Sequence, residues 1–134
     1  METITIKGRE IPLIYTVFEM KAIQEELGPL SRAVSLILGR NPDDREDTSQ
    51  YGSAEHIKAA AALVRILGNA GLEEAGEEPD LTDKWIMRAL RPAELPTAIN
   101  ACMNAMNAGM ASEIPEEKKQ GPVDVVLEEI NKKK

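Results

Sequence analysis

Over residues 2–15 apolar and polar positions alternate, and after residue 16 the spacing becomes helical. Thr3, Ile4, Thr5 and Ile6 are β-favouring residues in alternating register, and Ile11, Leu13 and Tyr15 resume the alternation with one face turned inward. This pattern predicts a β-hairpin with Gly8-Arg9 as its two-residue turn. Pro12 cannot donate to a ladder, so the second strand should have a free edge there. Thr16 followed by Glu19 has the spacing of a capping box, and Phe18, Ala22, Ile23 and Leu27 form the expected buried stripe of the helix it opens. Gly28-Pro29 ends that helix. A shorter one follows, with Ala33, Val34, Ile37 and Leu38 apolar and Gly39 as its stop.

Residues 40–52 read as a polar, acidic loop, with mobility expected. Ser53 then caps a central helix over residues 54–72. Ile57, Ala60, Ala61, Val64, Leu67 and Gly68 share one face of it, with Leu63 and Ile66 on the flank. Lys58, Ala62, Arg65 and Asn69 form a narrow polar stripe. A helix with so narrow a stripe is packed around most of its circumference, so the other elements are expected to wrap around it. A second acidic stretch, Glu73 to Asp80, finishes this helix or joins the loop after it. Thr82 caps the next helix, which carries Trp85, Ile86, Ala89 and Leu90. Pro92 suits the first turn of the last major helix. That helix runs to about Met110, with Leu95, Ala98, Ile99, Cys102, Met106, Gly109 and Met110 on one face.

Beyond Ala111 the pattern breaks. Residues 112–122 (SEIPEEKKQGP) read as a linker. Val123, Val126, Leu127 and Ile130 then recur at i, i+3, i+4, i+7, the signature of a short amphipathic helix on a tether, too short to be stable alone in water. The expected organisation is a hairpin-plus-helical domain over residues 1–111 and a linker with a short amphipathic segment over residues 112–134. The fold class is mainly α (α+β): a short N-terminal β-hairpin, a compact bundle of about five helices, and a flexible C-terminal tail.

Composition narrows the function. With 134 residues and 43% hydrophobic content the chain can bury a core without disulfides or metal. Aromatics are only 3%, so that core must be aliphatic, which suits packed helices. The net charge of −7 and the lack of any basic run before residues 132–134 argue against nucleic acid and anionic membranes as partners. A single cysteine, Cys102, cannot form an internal disulfide and points to a reducing compartment. No signal peptide or transmembrane run is apparent, so a cytoplasmic location is expected.

Candidate chemistry is sparse. His56, the one histidine, reads as a surface residue in the first turn of the central helix, and a metal site would need more ligands than its surroundings offer. Cys102 lies on the apolar face of the last helix with no nearby base to activate it, so it reads as a small buried hydrophobe. The loop of residues 41–52 lacks the ligand alternation, the glycine and the closing glutamate of a calcium loop. No catalytic residue, metal or cofactor is therefore expected, and the chain reads as a binding protein rather than an enzyme.

Two segments stand out as binding surfaces. Between Glu94 and Glu113 no side chain is charged. The outward face of the last helix is Thr97, Asn100, Asn104 and Asn107 with Ala101 and Ala108, and Met103 and Met110 lie at its margin. Interfaces are depleted in charge and enriched in methionine, so Asn100, Met103, Asn104, Asn107 and Met110 are the first candidates. Burial within the same domain is the competing explanation. The second candidate is the apolar stripe Val123, Val126, Leu127 and Ile130, suited to lie in a groove of a partner or of its own domain.

The layout ITIKGREIPLIY, leading directly into TVFEMKAIQEELG, followed by short helices and RPAELPTAINACMNAMNAGM, resembles the tail assembly chaperones of long-tailed bacteriophages and prophages, over about residues 3–112. The resemblance lies in the order and spacing of elements, not in an invariant motif. It implies a non-enzymatic protein of the bacterial host cytoplasm that coats the tape-measure protein, keeps it in solution and helps recruit tail tube subunits. It carries over no catalytic residue. Self-association is a further possibility of the uncharged helix. The alternative is an acidic regulatory or inhibitory protein-binding module acting through Asp43, Asp44, Glu46 and Asp47, whose binding salt would weaken strongly.

Overall fold

A computed structural model describes residues 2–44 and 46–110 of the chain. The linker and amphipathic segment expected beyond residue 111, with Val123, Val126, Leu127 and Ile130, lie outside the described residues. Strands β1 (Thr3–Ile6) and β2 (Arg9–Pro12) form an antiparallel hairpin in which Ile4 faces Ile11 and Ile6 faces Arg9. That register places the two-residue turn at Lys7-Gly8, one position earlier than the expected Gly8-Arg9. Lys7 and Gly8 both have positive φ, 52° and 76°, the conformation that follows the twist of the strands. Arg9 belongs to the ladder instead. Ile4, Ile6, Ile11, Leu13 and Tyr15 are all buried, so the alternation extends past the strand into the connection.

Five helices follow among the described residues: α1 (Val17–Leu27), α2 (Leu30–Ile37), α3 (Ala54–Glu74), α4 (Asp83–Ala89) and α5 (Leu95–Met110), with a 3-10 turn at Pro92–Glu94 leading into α5. Side-chain caps account for the starts of α1, α3 and α4. The Glu19 carboxylate turns back to accept the Thr16 N–H at 2.8 Å and the Thr16 hydroxyl as well. Ser53 Oγ accepts the His56 N–H at 3.1 Å, and Thr82 Oγ1 accepts the Trp85 N–H at 3.1 Å. Each satisfies a donor that the first helical turn would otherwise leave without a partner.

The 21-residue α3 is the axis of the fold and touches α1, α2, α4, α5 and β2. Its small residues let neighbours approach closely: Ala59, Ala60, Ala61 and Ala62 are all buried, as are Gly68 and Gly71. At Gly71 a Cβ would lie 1.8 Å from the Pro12 carbonyl oxygen, and Ile14 N–H donates to the Leu67 carbonyl at 3.2 Å. The hairpin's exit strand is thus laid directly on the α3 backbone.

The polar stripe expected on α3 is narrower than its spacing implies, because Ala62 is buried. Its other members connect elements. Arg65 pairs with Glu26 of α1 and, at 2.7 Å, with Asp83 of α4. Burial alone would lower the Arg65 pKa, but the hydrogen bonds and charges of Glu26 and Asp83 outweigh it and hold the guanidinium above its ordinary value. Asn69 accepts the Leu81 N–H at 2.9 Å and donates to the Leu81 carbonyl at 3.2 Å, which fixes the chain as it enters α4. Arg9 reaches Asp80 at 3.0 Å and lies over the Trp85 ring.

Two residues expected in the core are on the surface. Phe18 is 73% exposed. Phe18 and Ile23 are five positions apart, or about 140° around a helix, so both cannot occupy the centre of one stripe. The capping arrangement turns Glu19 inward, and Ile23, four residues later, follows it. Ile57 is 36% exposed, because the elements that cover α3 stand apart at the level of its first turn. No helix among the described residues is long and apolar enough to cross a membrane.

Candidate protein-binding surface

Helix α5 is sixteen residues long and carries no charged side chain. Ala98, Ile99, Cys102, Ala105 and Met106 form its buried face against the core. Asn100, Asn104, Asn107, Thr97 and Ala108 are exposed, and Met103 and Met110 are half-buried at the edge. Asn100, Met103, Asn104 and Asn107 follow i, i+3, i+4, i+7, and Met110 is one further turn along. The five candidates on α5 therefore share one stripe beside the buried face. Among the described residues nothing encloses this side of the helix.

That stripe ends near a second apolar feature that the sequence pattern missed. A Cβ on Gly109 would lie 2.2 Å from the Tyr15 carbonyl oxygen, so the last turn of α5 rests against the chain just before α1. Val17 and Phe18, 77% and 73% exposed, follow within three residues of that contact, no more than about 11 Å of chain. The uncharged stripe thus runs toward an exposed Val-Phe pair at one end of the molecule. Large apolar side chains so open to water mark interaction sites when they adjoin other apolar surface.

At the other end of α5 lies a hollow of about 440 Å³ between the first turns of α3, helix α4 and the 3-10 turn. Tyr51, Ile57, Met87, Leu90, Pro92 and Leu95 line it. Tyr51, Ile57 and Met87 are, with Val17 and Phe18, the large hydrophobic residues most exposed among the described residues. No motif announces this groove. Three elements separate in sequence assemble it, and only Ile57, out of place on a face expected to be buried, could have pointed to it.

The titratable groups have structural surroundings. His56 is buried, contrary to the surface position expected for it: it continues the inward line of Ala59, Ala60 and Leu63 by one turn. Its ring lies 4.4 Å from that of Tyr51, and its Nδ1 accepts the Gly52 N–H at 2.9 Å. Burial lowers its pKa, against a smaller opposing effect of the Ile37 backbone. Cys102 is fully buried, as its place on the apolar face implied, and burial pushes its thiol up to about 12, far from thiolate chemistry near neutral pH. Burial likewise raises the Tyr15 hydroxyl.

In the acidic loop the side chains close turns. Asn41 Oδ1, Asp44 Oδ1 and Asp47 Oδ1 accept the N–H groups of Asp43, Glu46 and Ser49 in succession. The bonds to Ser49 and Asn41 hold the Asp47 carboxyl below its usual range. Among the described residues no three His, Cys, Asp or Glu side chains gather closely enough to hold a metal ion.

Set against protein-family models, curated proteins and solved structures, the chain gives no significant match to any.

Proposed function

We propose that this protein is a non-enzymatic assembly chaperone of a long phage tail, which binds the tape-measure protein and helps recruit tail tube subunits. The observation that carries the proposal is the exposed face of α5: a helix side open to solvent, in a protein of net charge −7, without one charged residue. A face shaped only by solubility carries Lys and Glu. Asn and Met at these positions form hydrogen bonds and adaptable apolar contacts without charge desolvation.

The surface suits a long helical partner. Such a partner presents many non-identical sites, which an adaptable surface of unbranched methionine and short amides accommodates. The exposed Val17 and Phe18, two and three residues beyond the Tyr15 contact with α5, supply a firmer apolar anchor. The acidic remainder, including Glu73, Glu74, Glu77 and Glu78, would face outward and keep the coated filament in solution. The order and spacing of hairpin, capped helix, short helices and last helix is what resembles the tail assembly chaperones.

The test is co-expression of the tagged protein with the candidate tape-measure protein, encoded by the gene expected just downstream. The proposal expects the partner to be insoluble alone and to co-purify in soluble form, at many copies of this protein per partner chain and with little sensitivity to salt. A partner that stays insoluble, with nothing retained, overturns it. Binding that collapses with added salt favours instead an inhibitor acting through its acidic loop.

A further inference from the structure

The groove between α3, α4 and the 3-10 turn has an apolar floor and a basic margin. Arg91 is the charged residue among those lining it. Lys58 directly follows the lining residue Ile57 and is exposed. Glu94, the nearest acid along the 3-10 turn, accepts the Arg91 N–H at 2.7 Å. In a chain with 23 acidic residues against 16 basic ones, this is a local reversal of sign around an unfilled apolar surface. Its occupant should carry an apolar stripe bordered by carboxylates.

The chain itself contains such a sequence. In VDVVLEEI, residues 123–130, the stripe Val123, Val126, Leu127 and Ile130 would as a helix be bordered by Asp124 and Glu129. As a helix, the stripe would be about 10 Å long and occupy about 100° of the circumference. The reach suffices. Leu95 lines the groove and opens α5, so the chain leaves α5 about 24 Å away, after sixteen residues. The intervening residues 111–122 can span about 40 Å when extended. We infer that residues 123–130 dock as an amphipathic helix in this groove of the same molecule, covering Ile57 and Met87 and placing their acids against Lys58 and Arg91.

Docking within one chain replaces a bimolecular association by a tethered one, which favours a short helix that could not stand alone. It gives the groove a built-in competitor: a partner entering it must displace residues 123–130. The groove would accept this segment whatever partner α5 meets, so the inference stands apart from the chaperone proposal.

The experiment is NMR on the full-length chain. Leu127→Asp is expected to shift the amide resonances of Ile57, Met87, Leu90 and Arg91, and Met87→Asp is expected to shift those of residues 123–130. Met87 is 43% exposed, so Met87→Asp should not unfold the domain. In a Met87→Cys, Leu127→Cys double variant, mild oxidation is expected to give an intramolecular disulfide. Three results would overturn the inference. One is that the Leu127→Asp shifts stay within residues 119–134. Another is that the groove shifts disappear on dilution, which would make the occupant a second copy. The third is that oxidation gives only linked dimers.

Discussion

The Nδ1 of His56 accepts the backbone N–H of Gly52 at 2.9 Å, so a buried, neutral imidazole holds the last turn of the acidic loop onto the start of α3. Protonation would put a donor where Gly52 needs an acceptor and would charge a buried ring. Burial has lowered the folded-state pKa below 6.5, the ordinary histidine value. Between the folded and unfolded pKa values the unfolded chain binds more protons, so stability rises with pH there. The contribution of His56 is complete above about pH 6.5 and is lost as pH falls from that value through the lower folded pKa. Thermal melts across this range should show a steeper acid-side loss for the native chain than for His56→Asn, whose amide oxygen replaces the acceptor without titrating. Parallel pH profiles for the two proteins would refute the assignment.

The contact between Gly71 and Pro12 makes a sharper prediction, because two effects oppose each other. Replacing a mid-helix glycine by alanine ordinarily stabilises a helix by about 1 kcal/mol. At Gly71 the added methyl would sit 1.8 Å from a backbone oxygen, which cannot swing aside as a side chain can. Overpacking of this kind costs about 1–3 kcal/mol. Gly71→Ala should therefore destabilise the protein on balance in urea unfolding, and the damage should appear as weakened protection of the β2 amides in hydrogen exchange. A variant as stable as the native chain would show that the hairpin does not lie on α3 as described.

How far the pattern of residues carries is visible in the same elements. The hairpin, the caps at Thr16, Ser53 and Thr82, the uncharged last helix and the buried Cys102 are all readable, because each depends on local spacing and residue type. The hairpin turn falls one residue earlier than a glycine-first turn would place it. The pairing of Ile4 with Ile11 requires Gly8 to be the second. Phe18, Ile57 and His56 were misplaced for a different reason. Apolarity marks what prefers burial, but which side of a helix meets a neighbour depends on elements distant in sequence. His56 is covered because α2 and the end of the acidic loop close over it, and Ile57 is open because α4 and the 3-10 turn leave a groove beside it. On α5 the stripe of candidate residues was readable, since the absence of charge is a property of the helix alone. The exposure of Val17 and Phe18 was not.

Arg65 joins three helices through two carboxylates of unequal exposure. The Asp83 side chain is 32% exposed and the Glu26 side chain 42%. Solvent screens the more exposed partner more strongly. A double-mutant cycle in urea, with Arg65→Met, Asp83→Asn and Glu26→Gln, should give a coupling of about 1 kcal/mol for Arg65 with Asp83 and less for Arg65 with Glu26. Added salt should reduce the Glu26 coupling first. If neither pair couples, the polar stripe of α3 is ordinary solvated surface and the joining role assigned to Arg65 is wrong.

The binding surface is best tested where stability and function separate. Phe18 is 73% exposed and gains little from the fold, so Phe18→Asp should change the unfolding free energy by no more than about 0.5 kcal/mol. If Phe18 anchors the partner beside the α5 stripe, the same substitution should weaken binding by at least about tenfold, or 1.4 kcal/mol, the loss expected on truncating an interface anchor. Met110→Lys, on the half-buried edge of α5, should weaken it similarly, because it places a charge on a face that has none. The two effects should be less than additive if the residues contact one partner segment, since they lie at the same end of the molecule. Asn104→Asp puts a negative charge at the middle of the stripe and should reduce binding without altering the fold. Retention of the tape-measure protein by each variant, measured alongside its melting curve, decides the matter. Full binding by Phe18→Asp and Met110→Lys together would remove this end of the molecule from the interface and leave the groove at Ile57 and Met87 as the surface to examine.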